Sequence, residues 1–365
     1  MREDNCYIKG EKMKKKFLIT LASVFMALLL VVCSYLLYVL VSYHRIEDNL
    51  TLNVENKTNL TAPANEKLSL MTYNIGFGAY SADYSFFMDG GKYSRAFSAD
   101  AVKTNTNGAM ETLKANNPDF ILLQEVDTDG TRSHHINQKD ILTDGFSVYT
   151  GVFAENYDSP YFLYPFNQPI GANKSGILTL SKFDISKSSR KSLPVEKSLN
   201  KFFDLDRAYS SSVIETSNGK NLVLYNVHLS AYTSDGTISN EQLKILSEDM
   251  KKEYDKGNYV IAAGDFNKDM LGDSSKYFER AEGEFNWAAP FETSLLPKDF
   301  SAHTGENVPT CRNADAPFKG DGTDFVLSVD GIITSPNVEV VACETVDTKF
   351  AYSDHNSVKM EFILK

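Results

Sequence analysis

From Phe17 to Tyr43 the chain runs for 27 residues without a charge, FLITLASVFMALLLVVCSYLLYVLVSY, where about 20 apolar residues cross a bilayer as a helix. No polar face interrupts the run, which argues against a soluble amphipathic helix. Lys12, Lys14, Lys15 and Lys16 crowd its N-terminal side, while only His44 and Arg45 precede Glu47 and Asp48 on the other. The positive-inside rule then expects the N-terminus in the cytoplasm and the bulk of the chain on the far side. A start at Met13 would give a charged segment and an apolar run like a secretory signal. The length of the run and the lack of a small-x-small site at its end favour a retained anchor. The expected organisation is a basic cytoplasmic tail over 1–16, a transmembrane signal anchor over 17–43, a polar stalk without aromatics over 44–67, and a globular domain over 68–365.

Charge follows the same division. The formal net charge of −11 separates into +4 on residues 1–45 and −15 on the remainder, so a general basic surface for nucleic acid is excluded. The 42% hydrophobic content is ample for a core and excludes a wholly disordered chain. Four cysteines, none spaced as CxxC, make neither a disulfide scaffold nor a thiolate zinc site. Only Cys311 and Cys343 lie beyond the span, and their pairing is left open.

The domain alternates short apolar runs with helical patterns. KLSLMTYNI, DFILLQEVD, NLVLYNVHL and YVIAAGDFN read as buried strands. Ser98 caps a helix through Val102, Ala109, Met110 and Leu113 that closes at Asn116-Asn117-Pro118, and Leu243, Leu246, Met250 and Tyr254 mark a second one ended by Gly257. The pattern is mixed α/β. Each apolar run ends in a group able to bind metal or phosphate: Asn74, Glu125, His228, Asp265 with Asn267, Asp330, and Asp354-His355. Strand ends are where α/β folds build sites. Carboxylates, carboxamides and imidazoles without cysteine suit a hard divalent cation such as Mg²⁺ or Mn²⁺.

In their order MTYNIGF, LLQEVD, YNVHLS, AAGDFN, VDGIITS and YSDHNSV, these segments resemble the motifs of the endonuclease/exonuclease/phosphatase superfamily, over essentially Leu68 to Lys365. The resemblance implies a four-layer α/β sandwich, two packed mixed β-sheets flanked by helices, with a phosphoester-hydrolysing site at one edge. By motif position it implies that Glu125 and Asp354 hold Mg²⁺ or Mn²⁺, assisted by Asn74. Asp265 and Asn267 would orient water or phosphate, and His355, polarised by Asp330, would be the catalytic imidazole. His228 would bind a phosphoryl oxygen or protonate the leaving group. Arg207, Asn173 and Arg312 stand where substrate contacts are expected, although either arginine could equally form a surface ion pair.

The expected activity is that of a membrane-anchored, extracytoplasmic nuclease hydrolysing phosphodiester bonds, with nucleic acid as substrate and no protein partner. A phospholipid or small-molecule phosphoesterase is the alternative, and a catalytically silent binding module is a third reading. His134-His135 could reach the substrate, but adjacent histidines on a polar loop are more often merely solvated. Two aromatic-rich stretches, Tyr80 to Phe97 and Tyr157 to Phe166, could stack bases or touch lipid, although packing of long loops is the commoner use.

Overall fold

The computed structural model describes residues 2–196, 204–231, 237–280 and 288–365, with side chains from residue 11 onward. Two compact units divide it, residues 1–44 and 45–365. The first is one helix, α1 (Arg2–Ser42), whose part from Glu11 to Ser42 is long and apolar enough to span a membrane.

The second unit holds two seven-stranded mixed sheets. One runs β1 (Leu50–Thr51), β7 (Ile185–Ser192), β8 (Ala208–Glu215), β9 (Asn221–His228), β10 (Tyr259–Asp265), β14 (Asp330–Thr334), β11 (Ser301–His303). The other runs β15 (Val338–Val346), β16 (Ser357–Leu364), β3 (Lys67–Asn74), β4 (Phe120–Gly130), β6 (Asn173–Ser181), β5 (Thr150–Asp158), β2 (Val54–Glu55). A short ribbon pairs β12 (Cys311–Arg312) with β13 (Val326–Leu327).

Period-two alternation explains the layering. Leu68 and Leu70 of β3 and Phe120 and Leu122 of β4 face inward, against Leu222, Leu224, Tyr259 and Ile261 of the opposite sheet. The intervening Met71, Tyr73, Ile121 and Leu123 face outward, under α2 (Ala99–Asn116) and α3 (Gln138–Gly145). On the other sheet Val223, Tyr225, Val260 and Ala262 lie under Leu243, Leu246 and Met250 of α4 (Thr237–Asp255). Strands buried on both faces need near-continuous apolar runs, which is why these segments lack alternation in the sequence. The expected sandwich of two packed mixed sheets and flanking helices is present.

Local signals act as read. Ser98 Oγ accepts from Ala101 N at 3.1 Å, and Asn117 closes α2 in the left-handed region at φ 46°. The expected stalk over 44–67 is corrected. Leu50–Thr51 pairs with β7, Val54–Glu55 pairs with β5, and Ala62 is wholly buried. Each strand is two residues long, too short to show periodicity, yet each extends a sheet edge through backbone hydrogen bonds that need no apolar side chains.

Gly264, in AAGDFN, sits at φ +153°, where a Cβ would stand 1.9 Å from Val227 O. The β9 backbone passes too close for a side chain one residue before Asp265. Gly264→Ala is therefore expected to destabilise by at least about 1–3 kcal/mol, the usual cost of overpacking. An unchanged denaturation midpoint would contradict this.

Candidate functional site

Register gathers the polar strand ends. His228 is level with Asp265 in the parallel β9–β10 pair, and Asp265 is level with Asp330 in the antiparallel β10–β14 pair, so the three stand in one row across the sheet. On the facing sheet Asn74 is level with Gln124. The register of β4 against β6 shifts between Leu123 and Val126, and Glu125 within that bulge has φ 54°. A bulge re-aims a side chain, here to the cleft shared with His228 and Asp265. Beneath it Gln124 Nε2 donates to Asn226 Oδ1 at 2.8 Å, and Asn226 Nδ2 donates to the carbonyls of Leu123 and Leu178, fastening the two sheets together.

The result is a cavity of about 470 Å³ lined at one end by Glu125, His228, Asp265, Asn267, Asp354 and His355. Asn74 Nδ2 donates to Asp265 Oδ2 at 3.0 Å and to Glu125 Oε1 at 3.3 Å, while its Oδ1 accepts from Gly76 N. It thus bridges two carboxylates as a donor, beside the groups it was expected to assist. Asn267 N donates to Asp265 Oδ1 and its Nδ2 to Leu229 O, both at 2.9 Å. His355 Nδ1 meets Asp330 Oδ2 at 2.7 Å, and its Nε2 lies 3.9 Å from Asp265 Oδ2.

Electrostatics separates the two imidazoles. Burial pushes His228 well below its usual 6.5, and the Arg207 charge adds to this, so the ring is neutral. Burial also presses on His355, but Asp330, through its charge and hydrogen bond, outweighs it together with Cys311 and holds His355 well above 6.5. Asp265 is raised to about 7 by burial, against the opposing pull of His355. Burial raises Glu125 and Asp354 as well, with Arg132 opposing it at the first and His355 at the second.

A cation fits this donor set. Glu125 and Asp354 face the cavity, and among the described residues neither forms an ion pair with lysine or arginine. Uncompensated carboxylates in a desolvated pocket are costly unless a cation joins them. Asp265, Asp330 and His355 also cluster, with potential ligand atoms within 4.8 Å of one another. Asp330 and the Nδ1 of His355 are already engaged with each other, so the more open pair is Glu125 and Asp354.

The remaining expectations divide. Arg207 lines the cavity and is held by Asp204 at 3.0 Å and by Leu229 O at 2.8 Å, buried rather than in a surface ion pair. Arg312 also lines it, buried, and donates to the carbonyls of Asn313, Ala316, Ser81 and Tyr84, clasping the loop after β3. Asn173 does not line the cavity: its Oδ1 accepts from Arg132 N and its Nδ2 donates to Ile170 O and Gly171 O. His134 Nε2 pairs with Ala96 O and His135 Nδ1 with Asp129, and neither lines the cavity. Cys311 and Cys343 are free thiols; Cys311 Sγ lies 3.7 Å from His355 Nε2, and burial raises it to about 12.

Sequence reasoning missed Arg132. Its guanidinium is gripped by Asp127 at 2.7 and 3.1 Å, lies 3.9 Å over the Phe77 ring, and lines the cavity. The available signal was an arginine five residues after the Asp of LLQEVD, close enough to fold back onto it.

The profile of the endonuclease/exonuclease/phosphatase family matches residues 71–355. Among solved structures, an endonuclease/exonuclease/phosphatase from Beutenbergia cavernae shares 16% identity at TM-score 0.54, covering 82% of this chain and 72% of that one. D. rerio TDP2 complexed with single-strand DNA product shares 16% at TM-score 0.51, covering 81% and 99%. The human nocturnin catalytic domain with bound sulfate shares 16% at 0.51, covering 86% and 98%. These likenesses bear on the fold alone, and no curated protein sequence matches the chain. The profile, spanning most of the chain from the first expected motif to His355 of the last, identifies the protein as a phosphoric-ester hydrolase of the endonuclease/exonuclease/phosphatase family.

Proposed function

We propose that the protein is a divalent-cation-dependent phosphodiesterase of nuclease type, anchored through residues 17–43 with residues 1–16 in the cytoplasm and the catalytic domain outside. The observation that carries the chemistry is the convergence of Glu125, Asp354, Asp265, His228 and the Asp330–His355 pair on one cavity. Glu125 and Asp354 would hold Mg²⁺ or Mn²⁺, which when bound supplies Lewis-acid stabilisation of phosphoryl charge. Asp265, raised to about 7 and braced by Asn74 and Asn267, is placed to orient and deprotonate water. His355, charged through Asp330, stabilises negative charge on the phosphoryl group, and neutral His228 donates one hydrogen bond to it. Arg207 contributes positive potential at the wall. The DNA product held by the TDP2 relative supports a nucleic acid substrate. A second reading, a phospholipid or small phosphoester, is favoured by the wall of Phe77, Tyr80, Phe86, Met88, Tyr157 and Ile170.

All the hydrophobic clusters lie within residues 45–365, so that unit can be tested alone. Incubation with plasmid DNA, RNA and a bis-aryl phosphodiester should show hydrolysis with Mg²⁺ or Mn²⁺, lost by at least about a hundredfold in EDTA. Glu125→Gln should raise the cation concentration needed. EDTA-resistant hydrolysis would overturn cation dependence, and cleavage of phospholipid alone would overturn the nuclease assignment.

A further inference from the structure

The catalytic cavity does not end at its polar groups. Met88, Tyr157 and Ile170 of its wall also line a second cavity of about 300 Å³, completed by Phe87, Phe162 and Tyr164. The apolar surface continues outward onto exposed side chains: Met88 is 59%, Tyr164 61% and Phe166 83% exposed. The two rings lie 6.0 Å apart, and Tyr164 lies 5.9 Å from Phe87. Large apolar groups in one patch on an otherwise acidic domain mark an interaction surface.

The chain's entry into the domain lies beside the same cavity. Arg45 Nη2 donates to Leu193 O at 2.9 Å, Arg45 pairs with Asp206, and Ile46 N donates to Asp206 Oδ2 at 2.6 Å. Asp204, Leu205 and Arg207, on either side of Asp206, line the cavity. Asp206 also pairs with Arg190, whose Nε donates to Glu155 O two residues before Tyr157. The domain's first residue is therefore fastened beside the wall formed by Asp204, Leu205 and Arg207, and Asp206 links it through Arg190 to the strand that carries Tyr157. Only two residues, Tyr43 and His44, separate Arg45 from Ser42, the end of the apolar helix, a reach of about 10 Å.

We propose that the aromatic rim of the cleft, Met88, Tyr164 and Phe166, docks onto the lipid bilayer in which α1 is anchored. Ring-bearing side chains with a polar tip, such as Tyr164, suit the headgroup boundary. The short tether makes docking intramolecular, so weak insertion suffices. Charge argues against a nucleic acid strand at this rim. Stacking platforms for single strands lie along basic grooves, whereas here Arg132 and Arg207 lie in the catalytic cavity, each paired with a carboxylate, and neither lines the rim cavity. A phosphoester at headgroup depth would enter the cavity directly. The docking rests on the proposed anchoring through residues 17–43 but not on the phosphodiesterase reading, on which only that consequence depends.

The test uses the full chain in phosphatidylcholine vesicles with or without brominated acyl chains, and tryptophan fluorescence. Trp287 is the only native tryptophan, so the unsubstituted chain supplies the background. Phe166→Trp should be quenched at least about twofold by bromine. Val148→Trp, exposed just before the end of β5 remote from Tyr157, should not be. Emission from Phe166→Trp that is insensitive to bromine would overturn docking. So would a Tyr164→Ser/Phe166→Ser chain that loses hydrolysis of single-stranded DNA in free solution, because the rim would then be stacking bases. Bromine quenching needs no turnover, so a chain that is quenched but inactive sinks the hydrolase reading and leaves the docking in place.

Discussion

Asp330→Asn is expected to lower kcat by about 10²–10³-fold, the cost of losing one preorganised group that stabilises developing negative charge, with the near-ultraviolet circular dichroism unchanged. Asp330 is fully buried, its backbone N donates to Thr310 Oγ1 at 3.1 Å, and its Oδ2 holds His355 Nδ1 at 2.7 Å. Asparagine keeps the shape but removes the charge that opposes the burial of an imidazolium. It can also offer an N–H where the ring needs an acceptor, which reverses the tautomer. Burial by itself pushes His355 down, and only Asp330 with Cys311 holds it well above 6.5. The alkaline limb of kcat/KM should therefore move to lower pH in Asp330→Asn. The sign for stability follows from the same shift. A histidine raised above its unfolded value stabilises fully below about pH 6.5 and loses that contribution as pH rises through the folded value. The Tm gap between native and variant chains should be widest on the acid side and narrow toward alkaline pH. An unmoved alkaline limb with native kcat would remove His355 from the chemistry.

The legible parts of this protein were those where one residue type had one use. Buried runs such as 120–123 must be apolar, so the polar residues that follow each stand out, and Asn74, Glu125, His228, Asp265, Asp330 and His355 could all be named. Ser98 and Asn117 were readable because caps are local. Residues 50–55 were not, since two-residue strands join sheets through backbone groups common to every sequence. The use of Asn173 was hidden for a related reason. A carboxamide that ties down a loop and one that touches substrate look alike in sequence, and only the bonds to Arg132 N, Ile170 O and Gly171 O decide. Exposure of Tyr164 and Phe166 alongside burial of Tyr84 and Phe162 was equally unreadable, because both stretches are aromatic throughout and lack a period.

Arg132 offers the second large effect, and it separates architecture from chemistry. Its side chain is 9% exposed and that of Asp127 is wholly buried. Removing one member of such a pair strands the other's charge, a cost of about 3–5 kcal/mol. Arg132→Met should therefore destabilise strongly although methionine fills much of the same volume, and Asp127→Leu should do likewise. Asp127 Oδ2 also accepts from Ser133 Oγ at 2.7 Å, and its N donates to Gln138 Oε1 at 2.9 Å, so the pair fixes the loop that follows Glu125. Exchanging both charges for apolar groups in Arg132→Met/Asp127→Leu removes the stranded charge and should recover a large part of the lost stability. Activity should not return with it. Among the described residues Arg132 Nη1 has no hydrogen-bond partner, and the side chain lines the cavity. A guanidinium held by Asp127 and flat against Phe77 presents that nitrogen in a fixed place, suited to an anionic oxygen. The double variant should thus show raised KM at near-native Tm, and Arg132→Lys should restore stability better than it restores KM. Native KM in a stable double variant would confine Arg132 to holding the loop.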